Sequence, residues 1–124
     1  MIRVLLVEDD PVIRDTTCYF LKSRQNFEVV CAETGGEALS HARENFDVIL
    51  MDILLPDTNG VDLCQRLRSW HHCPIIFTSC LDDTDTVVRA LELGGDDFLT
   101  KPYNHKVLLA RIMANIRRVQ MDAA

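Results

Sequence analysis

The run Asp47-Val-Ile-Leu-Met-Asp-Ile-Leu-Leu-Pro-Asp-Thr-Asn-Gly60 decides how the chain is read. Four apolar residues, Val48 to Met51, lead into an acid, Asp52, and a loop bearing Pro56 and Gly60 follows. A short continuous apolar run is what a parallel strand covered on both faces presents, and in such sheets ligand chemistry gathers at strand C-terminal ends. Asp52 therefore reads as a nucleophile facing a crevice rather than a buried acid. Taken alone it reads equally well as a cap or turn residue. The other strand ends decide between the two.

Outward from this run the chain alternates. Ile2 to Val7 is a short apolar run ending in Glu8-Asp9-Asp10-Pro11, where Asp before Pro marks a helix start. Val12, Ile13, Thr17, Phe20 and Leu21 recur at helical spacing to about Arg24. Phe27 to Ala32 is a second strand, and Thr34-Gly-Gly-Glu37 is a capping box opening a helix to about Glu44. Beyond the central run, Val61, Leu63, Cys64 and Leu67 mark a third helix and Pro74 to Thr78 a fourth strand. Asp82-Asp-Thr-Asp85 starts a fourth helix that Gly94-Gly95 ends, Asp97 to Thr100 is a fifth strand, and a long helix follows Asn104. Five β-α units imply an α/β fold, a parallel sheet with helices on both faces.

With 124 residues, 48% hydrophobic and 26% charged, the chain has the size and apolar content of one domain, over residues 1–120, with 121–124 a tail or linker start. A net charge of −6 argues against a nucleic-acid-binding surface here, although residues 102–124 carry 4 basic side chains against 1 acidic. The five cysteines are scattered without a C-x-x-C pair, so neither a disulfide framework nor a zinc site is indicated and a reducing cytoplasm fits. No apolar stretch reaches the roughly 20 residues of a membrane span. A cytoplasmic protein with no membrane partner is expected.

The strand ends converge. Glu8 and Asp9, Asp52, Thr78-Ser79, and Thr100-Lys101-Pro102 all fall on one edge of the sheet. Three carboxylates about 5 Å apart repel by a few kcal/mol per pair, which is tolerable only if cations share the site. Lys101 is one. A hard divalent ion that prefers oxygen ligands, Mg²⁺ first, would be the other.

With these spacings the whole chain resembles the receiver domain of bacterial two-component response regulators. The acidic pair matches Glu8 and Asp9, the phosphoacceptor Asp52, the switch hydroxyl Ser79 and the Lys-Pro pair Lys101-Pro102. The resemblance implies a flavodoxin-like sheet of order 2-1-3-4-5 and a cis Lys101-Pro102 bond. It further implies that Asp52 takes a phosphoryl group from a sensor histidine kinase. Mg²⁺ would be held by Asp9, Asp52 and the Leu54 backbone carbonyl with Glu8 nearby, while Lys101 and Ser79 engage the phosphoryl group. The chain would be a regulatory phosphoacceptor and no general enzyme, catalysing only its own phosphorylation and slow autodephosphorylation. Two positions depart from the pattern. Cys80 stands where the family has Ala or Gly and reads as a small semi-buried hydrophobe, and Phe98 keeps the aromatic switch position without a Tyr hydroxyl.

Gly94-Gly-Asp-Asp-Phe98 with Lys101-Pro-Tyr103 and Arg111 is similar to the OmpR/PhoB subfamily. That implies transcriptional output through a C-terminal DNA-binding domain outside this chain and a homodimer on phosphorylation through the fourth helix, fifth strand and fifth helix. Asp97 and Arg111 match one cross-subunit ion pair, and Val87 and Val107 replace another by apolar residues. A stand-alone receiver that signals by docking is the alternative. An aspartyl-phosphate hydrolase would need a second Asp where Leu54 stands, and a pseudo-receiver usually loses the acidic pair or the Lys, which this chain keeps. His71-His72-Cys73 reads as a solvated loop, and Asp82, Asp83 and Asp85 as helix-start acids.

Overall fold

The computed structural model describes residues 1–123. In chain order the elements are β1 (Ile2–Val7), α1 (Pro11–Lys22), β2 (Phe27–Ala32), α2 (Gly35–Ser40), β3 (Val48–Asp52), α3 (Gly60–Leu67), β4 (Ile75–Ser79), α4 (Thr84–Glu92), β5 (Asp97–Thr100) and α5 (His105–Ala123). The strands form one parallel sheet in the order β2-β1-β3-β4-β5. That is the architecture and strand order expected from the sequence.

The two-residue period of each strand splits the core into two layers. Leu5, Val7, Ile49, Met51 and Phe77 pack with Ala38, Leu63, Leu67 and Ala90 from α2, α3 and α4. Their neighbours Val4, Leu6, Val48, Leu50 and Ile76 pack with Leu21, Leu108 and Ile112 from α1 and α5. Before their polar C-terminal ends, β3 and β4 are apolar because both faces are covered.

Caps set the helix starts. Asp10 accepts from the amides of Val12 and Ile13, Asp83 from Thr86, and Asn104 from Lys106 and Val107. Helix α2 is shorter than its capping box promises. It stops at Ser40, after which His41, Ala42 and Glu44 bond back only three residues and form turns. Residues 121–123, expected as a tail, continue α5; Ala124 lies outside the described residues. His71, expected in a solvated loop, is only 6% exposed; its Nε2 donates to the Ala42 carbonyl at 2.6 Å and its ring tilts against Phe46. No described helix is long and apolar enough to cross a membrane.

Candidate functional site

The sheet register assembles the site. Val7 lies opposite Met51, so Glu8 and Asp52 leave adjacent strand ends side by side. Asp52 lies opposite Thr78 and Ser79 opposite Thr100, the residue before Lys101. The Lys101 amide donates to the Ser79 carbonyl at 2.8 Å, and the Lys101-Pro102 bond is cis.

Asp52 differs from its expected exposure. It is 4% exposed, with Oδ1 accepting the Leu54 amide at 3.1 Å and Oδ2 accepting Lys101 Nζ at 2.7 Å. Helix α3 presses onto its backbone: a side chain at Gly60 would put Cβ 2.2 Å from the Asp52 carbonyl oxygen. Glu8 is 1% exposed, and its Oε1 lies 2.5 Å from Lys101 Nζ. That contact is an ion pair without hydrogen-bond geometry, and Oε1 has no other donor. Burial, with Asp52 alongside, outweighs the attraction of Lys101 and pushes the Glu8 carboxyl up to about 7. For Lys101, burial pulls the ammonium down, but the attraction of the Asp52 and Glu8 carboxylates wins and its pKa is raised.

Glu8, Asp9 and Asp52 each bring one carboxylate oxygen within 4.8 Å of the others. Glu8 and Asp52 are buried on one lysine and Asp9 is exposed beside them, so the three carboxylates leave a surplus of negative charge over Lys101. Hard oxygen donors, one without a hydrogen-bond donor, suit a hard divalent cation such as Mg²⁺. The residues fit that ion.

The remaining residues singled out in the sequence surround this cluster. Ser79 is fully buried and its Oγ accepts the Leu81 amide at 3.0 Å. Phe98 is partly buried opposite Phe77. Cys80, expected half-buried, is exposed. Leu54 and Leu81 stand 51% and 40% exposed beside the site. On α4 and α5, Val87 is partly buried and Val107 exposed. Asp97 and Arg111 pair within the chain at 2.7 Å, and Asn115 also donates to Asp97.

Three contributors escaped the sequence reading. The Arg14 guanidinium reaches the carbonyls of Glu8 and Asp9 and pairs with Glu33 at 3.1 Å, steadying the acidic turn. Its position four residues after the Asp10 cap was the available signal. Tyr103 and Thr17 share a 2.8 Å hydrogen bond that fastens the loop after Pro102 to α1. Asp57 reaches α2, and no local pattern marks it.

The family model for the response regulator receiver domain matches residues 4–113. The chain is 37% identical over 123 residues to the DNA-binding response regulator MtrA of Mycolicibacterium smegmatis, covering 98% of this chain and 54% of that protein. It is 38% identical over 119 residues to the sensory transduction protein RegX3 of the same organism, covering 95% and 52%. The chain thus spans about half the length of the curated relatives it matches. Among solved structures, a CheY-like receiver domain protein of Methanospirillum hungatei superposes with a TM-score of 0.92 at 29% identity, covering 98% of each chain. The BeF₃-activated receiver domain of Klebsiella pneumoniae RstA gives 0.85 at 34% identity, covering 93% and 98%.

Proposed function

Because the chain belongs to the response regulator receiver domain family, we propose that Asp52 accepts a phosphoryl group from a sensor histidine kinase and that the domain thereby controls an output, transcription, through a DNA-binding region outside this chain. The observation that carries the reading is the buried carboxylate of Asp52 at the end of a central strand, bonded to Lys101 and flanked by Glu8 and Asp9.

Phosphoryl transfer asks for positioning and for charge neutralisation on the equatorial oxygens. The Leu54 amide and Lys101 hold the two Asp52 oxygens in fixed places, so the attacking carboxylate is oriented before the donor arrives. Lys101 can pass from Asp52 and Glu8 to an incoming phosphoryl oxygen without leaving the site. Ser79 Oγ can exchange the Leu81 amide for a hydrogen bond to the phosphoryl group, drawing the β4–α4 loop inward. Phe98 and the α4-β5-α5 face then carry the change to a homodimer partner. Glu8, Asp9, Asp52 and the Leu54 carbonyl would hold Mg²⁺, which when bound supplies the charge neutralisation that Lys101 alone cannot.

Incubation with acetyl phosphate and Mg²⁺ adds one phosphoryl group, and Asp52→Asn abolishes it, read by intact mass. Equal labelling of the variant would overturn the assignment.

A further inference from the structure

Asp57 sits on the loop that joins β3 to α3, outside the acidic cluster, and its two oxygens are both spent on another element. Oδ1 accepts the Gly35 amide at 2.8 Å and Oδ2 the Gly36 amide at 3.0 Å, so one carboxylate takes up the first two amides of α2. These two backbone bonds hold its pKa below the usual carboxylate range. The packing agrees with the bonding: a Cβ at Gly35 would lie 2.5 Å from Thr58 Cγ2, so loop and helix approach as closely as glycine permits.

The same loop carries Leu54. It closes on itself through the Gly60 amide to the Ile53 carbonyl at 2.7 Å and a bridge between Leu54 and Asn59. Among the described residues, the only side-chain hydrogen bonds tying residues 54–59 to an element not adjacent in sequence are the two made by Asp57. A small closed loop anchored at one outer point keeps its shape but turns about its ends once the anchor is cut.

We propose that Asp57 is a positioning residue for the divalent-cation site: by gripping α2 it fixes the loop so that the Leu54 carbonyl is presented to the ion. The proposal rests on the reading of Glu8, Asp9, Asp52 and Leu54 given above. A control is built into the fold, because the far end of the α2 segment is held separately by His71 Nε2 on the Ala42 carbonyl, at the opposite edge of the sheet. Loosening α2 there leaves the loop anchor intact.

The test is a Mg²⁺ titration of the ¹⁵N-labelled protein followed by amide shifts, for wild type, Asp57→Ala, Asp57→Asn and His71→Gln. Outer partners that orient metal ligands typically change affinity by tenfold or more. Asp57→Ala is expected to raise the Kd about tenfold, and Asp57→Asn, which keeps one acceptor oxygen, less than that. His71→Gln is expected to lower the melting temperature and leave the Kd unchanged. In parallel, the loss of phosphorylation rate in Asp57→Ala shrinks as Mg²⁺ is raised. A wild-type Kd in Asp57→Ala overturns the proposal, as does an equal weakening in His71→Gln, which would mark a general loosening of the fold. If wild type itself shows no Mg²⁺-dependent shifts at Glu8, Asp9 and Asp52, the metal-site reading falls, and the proposal with it, by a result distinct from either.

Discussion

The two edges of the sheet use the same residue types to opposite ends. At the N-terminal edge Glu28, Glu44, Asp47 and Asp96 are each matched. Asp47 accepts the Arg3 amide at 2.7 Å, while the Arg3 guanidinium bonds Glu44 and Glu28 and lies over the Phe46 ring. Asp96 accepts the Ile75 amide at 2.9 Å and is held by Arg68 at 2.7 Å and Arg118 at 3.0 Å. Arg68 goes on to the carbonyls of Cys73 and Gly94, tying α3 to the loops that lead into β4 and β5. At the C-terminal edge Glu8 and Asp52 share one lysine, and Asp9 adds a third carboxylate within 4.8 Å of theirs. Where charges and backbone bonds balance, the cluster is a clasp. Where they do not, a surplus of negative charge is left that suits a cation.

The largest expected contrast comes from removing one acid at each edge. Asp52→Asn abolishes phosphorylation and leaves the melting temperature unchanged or higher, since the like-charge repulsion with Glu8 goes with it. Asp96→Ala does the reverse. It strands the Ile75 amide and takes one partner each from Arg68 and Arg118, costing about 2 kcal/mol in chemical denaturation, while labelling of the folded protein persists. A fully stable Asp96→Ala would break the comparison.

Next is pH. The folded-state pKa of Glu8, about 7, lies above its ordinary carboxylate value, so the folded chain holds this proton more tightly than the unfolded one. The resulting stability is full below the unfolded value and is lost as pH rises toward about 7, an effect on the order of 2 kcal/mol. Denaturation curves in EDTA at pH 5 and pH 8 measure it. Glu8→Gln is expected to flatten the slope, and saturating Mg²⁺ to do the same by replacing the proton.

A smaller effect concerns the mouth of the site. Leu54 and Leu81 cannot hydrogen-bond the water that hydrolyses an acyl phosphate, so the phosphorylated form is expected to decay slowly. Leu54→Asn with Leu81→Glu should speed decay about tenfold, equivalent to about 1.4 kcal/mol of barrier, read as loss of phosphoprotein over time. Equal rates would mean that these side chains do not gate the water.

The smallest is expected on the α4-β5-α5 face. Val87 and Val107 offer apolar contact where the subfamily pairs charges, and Asp97 already has Arg111 within its own chain. Phosphorylation is expected to strengthen a dimer whose Kd, by sedimentation, moves only a few-fold between low and high salt, within the ~1 kcal/mol of an exposed ion pair. A phosphorylated chain that stays monomeric at high micromolar concentration refutes the dimer.

Much of the molecule was legible in sequence because it is written locally. Ile2–Val7, Phe27–Ala32 and Asp97–Thr100 are the strands their apolar runs announce, and Asp10, Thr34, Asp83 and Asn104 cap the helices that follow them. Strand-end acids at Glu8, Asp9 and Asp52 with Lys101 mark one edge, because a parallel sheet brings all its C-terminal ends together. What the sequence could not give is whatever depends on distance across the fold. The burial of Asp52, the place of His71 beneath Ala42 and the reach of Asp57 to Gly35 are set by partners 21 to 49 residues away. Short-range pattern fixes which backbone conformation is cheap. Which charge is matched and which is left in surplus is decided only when the register of the sheet puts those side chains within about 3 Å of one another.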